Sequence, residues 1–177
     1  MERIYGIQIG FRSAVTLILL ISSTLQVFAV PRWYEKFKKV RIFESTRAEV
    51  ESLFGNPKIE YTFAGEWSTN VDYKLKEGEL TVYYSTGRCS VMKKDGYDVD
   101  KNMVIGLDIK LEDEVGISDL GIEISQFDRR EIHDLPGSFS YFNEKQGIMM
   151  GGTSKTISRI DREPTEVQEK LRCVSPK

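Results

Sequence analysis

His133 is the only histidine of the chain, and it stands in the run Asp128-Arg-Arg-Glu-Ile-His-Asp134. A hydrolytic triad needs a histidine beside a nucleophile, and the sequence has no G-x-S-x-G element to supply one. Metal ligation by histidine needs partner ligands that are also missing, so His133 reads as a surface or turn residue. Asp98-Val-Asp100-Lys-Asn102 opens like a calcium loop. Its sixth position is Met103 rather than Gly and its twelfth is Ile109 rather than Glu, the two positions the geometry most requires. A solvated acidic loop is the better reading. Gly147-Ile-Met-Met-Gly-Gly152 has the glycines of a phosphate loop, but Thr153 stands where the phosphate-contacting Lys belongs. The stretch lies in hairpin sequence, where such glycines relax a strand end or make a bulge.

The acids Glu112, Asp113, Glu114, Asp119 and Glu123 are plentiful. Glycoside hydrolysis needs two carboxyls across a cleft with aromatic platforms, which sequence cannot place, although Trp67 is available as a platform. No catalytic residue, metal ligand or cofactor is assigned. The basic-aromatic stretch 30–43 offers a different chemistry. Arg32, Lys36, Lys38, Lys39 and Arg41 interleave with Trp33, Tyr34 and Phe37, a mixture that can meet anionic lipid headgroups. Arg32, Trp33, Lys36, Phe37, Lys38 and Lys39 are the candidate surface-binding residues. The plainer reading is a solvated linker whose aromatics anchor it to the body, since Lys stems readily cover apolar surface.

The amino terminus bears on compartment. Arg3 and Arg12 precede an apolar core, Ala14 to Ile21, and Val27-Phe28-Ala29 suits a cleavage site. That is the layout of a secretory signal peptide over 1–29. The expected location is therefore periplasmic or extracellular. The rival is an uncleaved membrane anchor, but Ser22, Ser23, Thr24 and Gln26 interrupt the run of about 20 apolar residues that a spanning helix needs. Two cysteines, Cys89 and Cys173, permit one intramolecular disulfide, which an exported chain favours over two separate buried thiols. With no C-x-x-C pair, redox and zinc roles are weak. Formal net charge is −2, and losing the leader removes Arg3, Arg12 and Glu2, so no global field attracts nucleic acid.

These residues must be held by a fold whose clearest element is 44–57. Thr46 and Glu49 make a capping box, Val50, Leu53 and Phe54 share one apolar face, and Gly55 with Pro57 ends the helix. Strands follow at 58–63 (Ile59, Tyr61 and Phe63 inward), 70–75 and 79–84. A strand at 103–111 places Ile105, Leu107, Ile109 and Leu111 on one face with Gly106 on the other. Further strands are expected at 138–143, 148–150 and 156–161. A closing helix capped by Thr165 and Gln168 turns Val167 and Leu171 inward. Hydrophobic content of 40% with 29% charged residues suits one soluble domain over 44–177. The fold class is α+β, antiparallel β-meanders with a few short helices packed on one face. Two tandem units suggest themselves, 46–85 and 118–161, each a helix or turn before a three-strand meander.

Thr46, Val50, Leu53, Gly55 and Pro57 form the cadence T-x-x-x-V-x-x-L-x-G-x-P. It resembles the start of the SmpA/OmlA class of outer-membrane assembly lipoproteins, and the similar unit of the β-lactamase-inhibitor-protein fold. The chain is also similar to an uncharacterised group of secreted bacterial proteins in which Ser45-Thr46-Arg47, Tyr83-Tyr84-Ser85, Cys89 and Leu171-Arg172-Cys173 recur. The resemblance implies a helix before a three-strand meander and a binding, non-catalytic habit. No Cys follows the apolar leader, so lipid tethering is not implied. The expected function is an exported non-enzymatic binding or scaffold domain engaging a protein or envelope component. A hydrolase of envelope sugars or peptides and an anionic-lipid binder working through 32–41 are the alternatives.

Overall fold

The computed structural model describes residues 30–62, 67–90 and 95–173. The leader 1–29 and Phe63 lie outside the described residues, as do the readings that rest on them. Helix α1 (Arg32–Lys39) and helix α2 (Arg47–Phe54) precede strands β1 (Ile59–Tyr61), β2 (Ser68–Lys74), β3 (Gly78–Ser85) and β4 (Val104–Gly116). Two 3-10 turns, Ile117–Leu120 and Ile124–Gln126, lead to β5 (Asp128–Glu131), β6 (Phe139–Asn143), β7 (Ile148–Gly152) and β8 (Thr156–Arg162). A last 3-10 turn spans Gln168–Leu171. All eight strands form one antiparallel sheet in the order β1-β2-β3-β4-β8-β7-β6-β5. The fold is α+β. Each half of the sheet is a four-strand meander, and the two halves meet where β4 pairs with β8.

One face of the sheet is covered. Val71, Tyr73, Leu80, Val82, Tyr84, Leu107 and Ile109 alternate inward and are almost fully buried, together with Ile157, Ile160 and Met150 from the second half. Helix α2 closes over them as its pattern predicts. Thr46 Oγ1 accepts from Glu49 N–H and the Glu49 carboxylate accepts from Thr46 N–H, completing the capping box. Val50 is fully buried, and Gly55 ends the helix at φ +89°, where a side chain would be strained. Lys36 Nζ donates to Leu53 O at 2.6 Å, so a cation from α1 satisfies a carbonyl in the last turn of α2.

Four expectations are corrected here. The stretch 30–43 is not solvated throughout: Arg32–Lys39 forms α1, whose Trp33, Tyr34 and Phe37 anchor it to the body, as expected, by entering the main core. Burying three aromatics outweighs solvating the lysines between them, which stay outside on the helix's polar face. Strand β1 has no buried face, with Ile59 47% and Tyr61 36% exposed, because its register sets Ile59 opposite Asp72 and Tyr61 opposite Asn70, away from the helices, and turns Glu60 toward Arg47 of α2 instead. Ile105 leaves the row of Leu107 and Ile109. A bulge makes Tyr83 pair with Gly106 and Tyr84 with Val104, so Ile105 is the extra residue and packs with Tyr97 and Val99 in a second cluster. The expected closing helix is a single 3-10 turn on which Val167 and Leu171 are exposed, although Thr165 and Gln168 do form their reciprocal bonds.

Cys89 and Cys173 are disulfide-bonded, as the cysteine count favoured. Their separation of 84 residues makes the closed loop long enough to add about 4–5 kcal/mol in the chain-entropy model. The bond holds the carboxyl-terminal turn against 95–100, where Cys173 N–H donates to Gly96 O and Asp98 N–H donates to Leu171 O.

The two caps give a contrast testable by urea denaturation. Thr46→Ala is expected to cost about 1 kcal/mol, because its helix closes the main core. Thr165→Ala is expected to cost only a few tenths of that, because its turn lies outside the core.

Candidate functional site

Among the described residues the other face of the sheet carries no α-helix, and the register states which side chains stand on it. Asp72, Thr81, Asp108, Asp161 and Met149 are successive cross-strand partners on β2, β3, β4, β8 and β7. Such neighbours have Cβ atoms about 5 Å apart, so Asp108 and Asp161 are adjacent carboxyls at the junction of the two halves. Arg159, two residues before Asp161 and so on the same face, clamps them. Its Nη2 donates to Asp161 Oδ1 at 2.7 Å and to Asp108 Oδ2 at 3.0 Å, and its Nε donates to Asp161 Oδ1 at 3.0 Å.

One guanidinium does not neutralise this pair in full. Burial, aided by the neighbouring Asp161 charge, pushes the Asp108 carboxyl up to about 6 against the opposing pull of Arg159. Burial raises Asp161 as well. Asp108 Oδ1 is buried and has no hydrogen-bond partner among the described residues. A buried acid pair with one oxygen unsatisfied has no packing rationale, and perturbed acids of this kind concentrate at functional sites.

A cavity of about 380 Å³ stands over the junction. Trp67, Tyr83 and Tyr97 form its aromatic side, and Glu163 beyond β8 with Glu169 and Arg172 from the carboxyl-terminal segment add charged groups to the wall. Tyr83 lies against Gly106, where an added Cβ would stand 3.4 Å from the ring, so the glycine lets the phenol rest on the neighbouring strand. Tyr97 is fixed at both ends. Its ring centroid lies 4.9 Å from Phe43 and 6.2 Å from Trp67. Its hydroxyl donates to Glu169 Oε1 at 2.6 Å and accepts from Arg172 Nη2 at 2.7 Å. The hydrogen bonds from Arg172 hold the Glu169 carboxyl below its ordinary range. Phe43 reaches Tyr97 from a left-handed backbone conformation (φ 63°), which its N–H bond to Val104 O at 2.7 Å maintains. A bulky residue in that region stores strain of order 1–3 kcal/mol, a further mark of this locality.

The structure scatters most of the residues singled out from sequence. His133 is fully exposed with only Asp134 beside it. Asp98 accepts from Cys89 N–H and Asp100 pairs with Arg88, so both acids of the calcium-like stretch hold their own loop. The glycine stretch 147–152 ends in β7 with a register shift at Gly151/Gly152, a bulge rather than a phosphate cradle. Phe37 is buried in the core, 1% exposed, whereas Trp33, 7% exposed, lines a surface cavity of about 370 Å³ together with Arg32 and Lys36. Arg32, Lys38 and Lys39 are exposed, Lys36 is half-buried, and Lys38 pairs with Glu35. Trp67 does stand at a cavity. The acids that converge are Asp108 and Asp161, which sequence reading passed over; a lone Asp in MVIGLDIKL and another in SRID were the only signal.

No protein-family model matches the chain, and no curated protein matches it. Among solved structures it is similar to a DUF4309 family protein from Bacillus subtilis, at 13% identity and a TM-score of 0.40, covering 76% of this chain and 96% of that one. Among the described residues no helix is long and apolar enough to cross a membrane.

The raised Asp108 makes stability pH-dependent in a defined direction. Unfolded, the carboxyl titrates near 3.8; folded, near 6. Between these values the folded chain keeps a proton that the unfolded chain has released, so stability falls as pH rises from about 4 to 6. Asp108→Asn is expected to flatten this window and to raise stability at pH 7 by about 1–2 kcal/mol, measured by urea denaturation at each pH. A loss of similar size at pH 7 would make Asp108 a structural partner of Arg159 instead.

Proposed function

We propose that this chain is an exported, non-enzymatic binding domain of the cell envelope that takes its ligand in the cavity over the β4–β8 junction. The observation that carries the reading is the under-satisfied Asp108–Asp161 pair on the helix-free face, walled by Trp67, Tyr83 and Tyr97. Such a mixture of aromatic surface and a few convergent polar groups is what ligand cavities share. Export is supported by the leader pattern over 1–29 and by the Cys89–Cys173 disulfide, a bond that persists in oxidising compartments. We read the sheet as two tandem units, each with helices or 3-10 turns before four antiparallel strands, in keeping with the likeness to the SmpA/OmlA and β-lactamase-inhibitor-protein units and to secreted proteins of no assigned activity.

The convergence of two carboxyls beside aromatic rings is the observation that favours a hydrolase as the second reading. Against it, Asp108 and Asp161 rise side by side from neighbouring strands and share Arg159, whereas glycoside hydrolysis uses carboxyls flanking the bond from two sides. The anionic-lipid reading keeps Arg32, Lys36 and Trp33 around one cavity, while Tyr34 and Phe37 belong to the core.

Two measurements test this reading. In chain recovered from cells, both cysteines are expected to resist alkylation until reduced, whereas free thiols would remove the export argument. With isotopically labelled protein, soluble envelope fractions are expected to shift the amide signals of Tyr83, Gly106 and Asp161. Shifts confined to other faces would contradict the site, and product release that stops in Asp161→Asn would replace binding with hydrolysis.

A further inference from the structure

Arg159 and Arg172 in the walls of the junction cavity are both engaged by carboxylates, while Glu163 also stands in the lining and Asp108 Oδ1 is left without a partner among the described residues. Arg159 is bonded to both Asp161 and Asp108, and Arg172 to Glu169 and Tyr97. An anionic ligand therefore meets guanidinium groups already engaged by carboxylates, and a cationic one must displace Arg159 from the pair. Neither kind of ion gains much for its own desolvation. A peptide bound as an added strand needs an open sheet edge, and β4 and β8 lie at the centre with both of their neighbours in place. What remains is a ligand without charge that both donates and accepts hydrogen bonds and has an apolar face for the rings. Hydroxyl groups on a saturated ring meet all three conditions. Carboxylate and guanidinium side by side offer an acceptor and a donor within one hydroxyl spacing, while Trp67 and Tyr83, both half-buried, leave aromatic surface for C–H groups. The cavity's 380 Å³ is at the low end of ligand sites, which run about 300–1,000 Å³, so it fits a small ligand or one unit of a longer one.

We propose that the cavity binds an uncharged saccharide, one pyranose ring resting on the Trp67 and Tyr83 side with its hydroxyls on Asp161 and Arg159. This rests on the binding reading above and gives that site its ligand class. The selectivity comes from guanidinium groups already engaged by carboxylates and from the acceptor that Asp108 Oδ1 leaves open to a neutral donor.

The chain has two tryptophans, and Trp33 is buried in the main core, so Trp33→Phe leaves Trp67 as the sole indole reporter. The full chain with this substitution is titrated with a tetrasaccharide of N-acetylglucosamine and with maltotetraose, and separately with tetralysine and tetraglutamate. A saturable change in Trp67 fluorescence is expected with at least one saccharide and neither charged peptide, and it should persist as salt is raised to about 0.5 M. Asp161→Asn and Arg159→Gln are each expected to weaken that binding by about tenfold or more. Arg159 is half-exposed, so its variant keeps the test alive should the Asp161 variant misfold, and near-ultraviolet circular dichroism checks both. No response to either saccharide from folded protein overturns the inference. A salt-sensitive response to a charged peptide that is lost in Arg159→Gln also overturns it, while leaving the cavity as a binding site. The absence of any amide shift with envelope fractions removes both.

Discussion

The pairing of β4 with β8 is the constraint on which the rest of the molecule depends. Among the described residues it is the one strand pairing that joins the two four-strand meanders into one sheet. On the covered face it sets Leu107 opposite Arg162 and Ile109 opposite Ile160; on the bare face it sets Asp108 opposite Asp161. Side chains alternate with a period of two, so a slip of one residue would carry the acids into the core and Ile160 into water. The register is therefore fixed by the same residues that make the cavity. Arg162 extends this control to the helical layer. Its Nη1 donates to Val40 O at 2.5 Å and more weakly to Phe37 O and Lys38 O, placing a guanidinium at the carbonyl end of α1. Burial depresses its proton affinity, and its Nε has no partner among the described residues, so this tie is held against a desolvation cost. Position, rather than net stability, is what such a contact supplies.

The carboxyl-terminal segment is held differently. None of residues 165–173 belongs to the main hydrophobic cluster. The segment is fixed by the Cys89–Cys173 bond, by backbone bonds to 96–98, by the Tyr97–Glu169–Arg172 contacts and by Gln168 Nε2 donating to Ile42 O. A covalent closure of a long loop substitutes here for apolar burial. Its consequence for the cavity is direct, because Glu169 and Arg172 stand in the wall only while this segment is in place.

Local rules made much of the fold legible. The Thr46–Glu49 box, the Gly55 stop and the alternating strands 70–75, 79–84 and 156–161 all specify their elements with short-range chemistry, and the structure contains them. Strand β5 was not legible, because DRRE has no apolar alternation and is fully exposed; it exists as an edge partner of β6, with Arg129 over the Phe139 ring and Arg130 over Phe142. The placement of Ile105 was lost for a related reason, since a bulge depends on the partner strand. The candidate site is the extreme case. Asp108 and Asp161 lie 53 residues apart in the chain, and nothing near either one indicates the other. Only the register of the junction, a long-range pairing, makes them neighbours and gives them one arginine.

The most direct test of a functional acid pair at this junction is to follow the side-chain carboxyl carbons of Asp108 and Asp161 by NMR across the acidic range. An apparent titration near 6, well above an ordinary aspartate, is expected for the pair, together with a shared response that moves both signals. Two independent titrations at or below 3.8 would show a satisfied surface ion pair with Arg159, and would contradict the site.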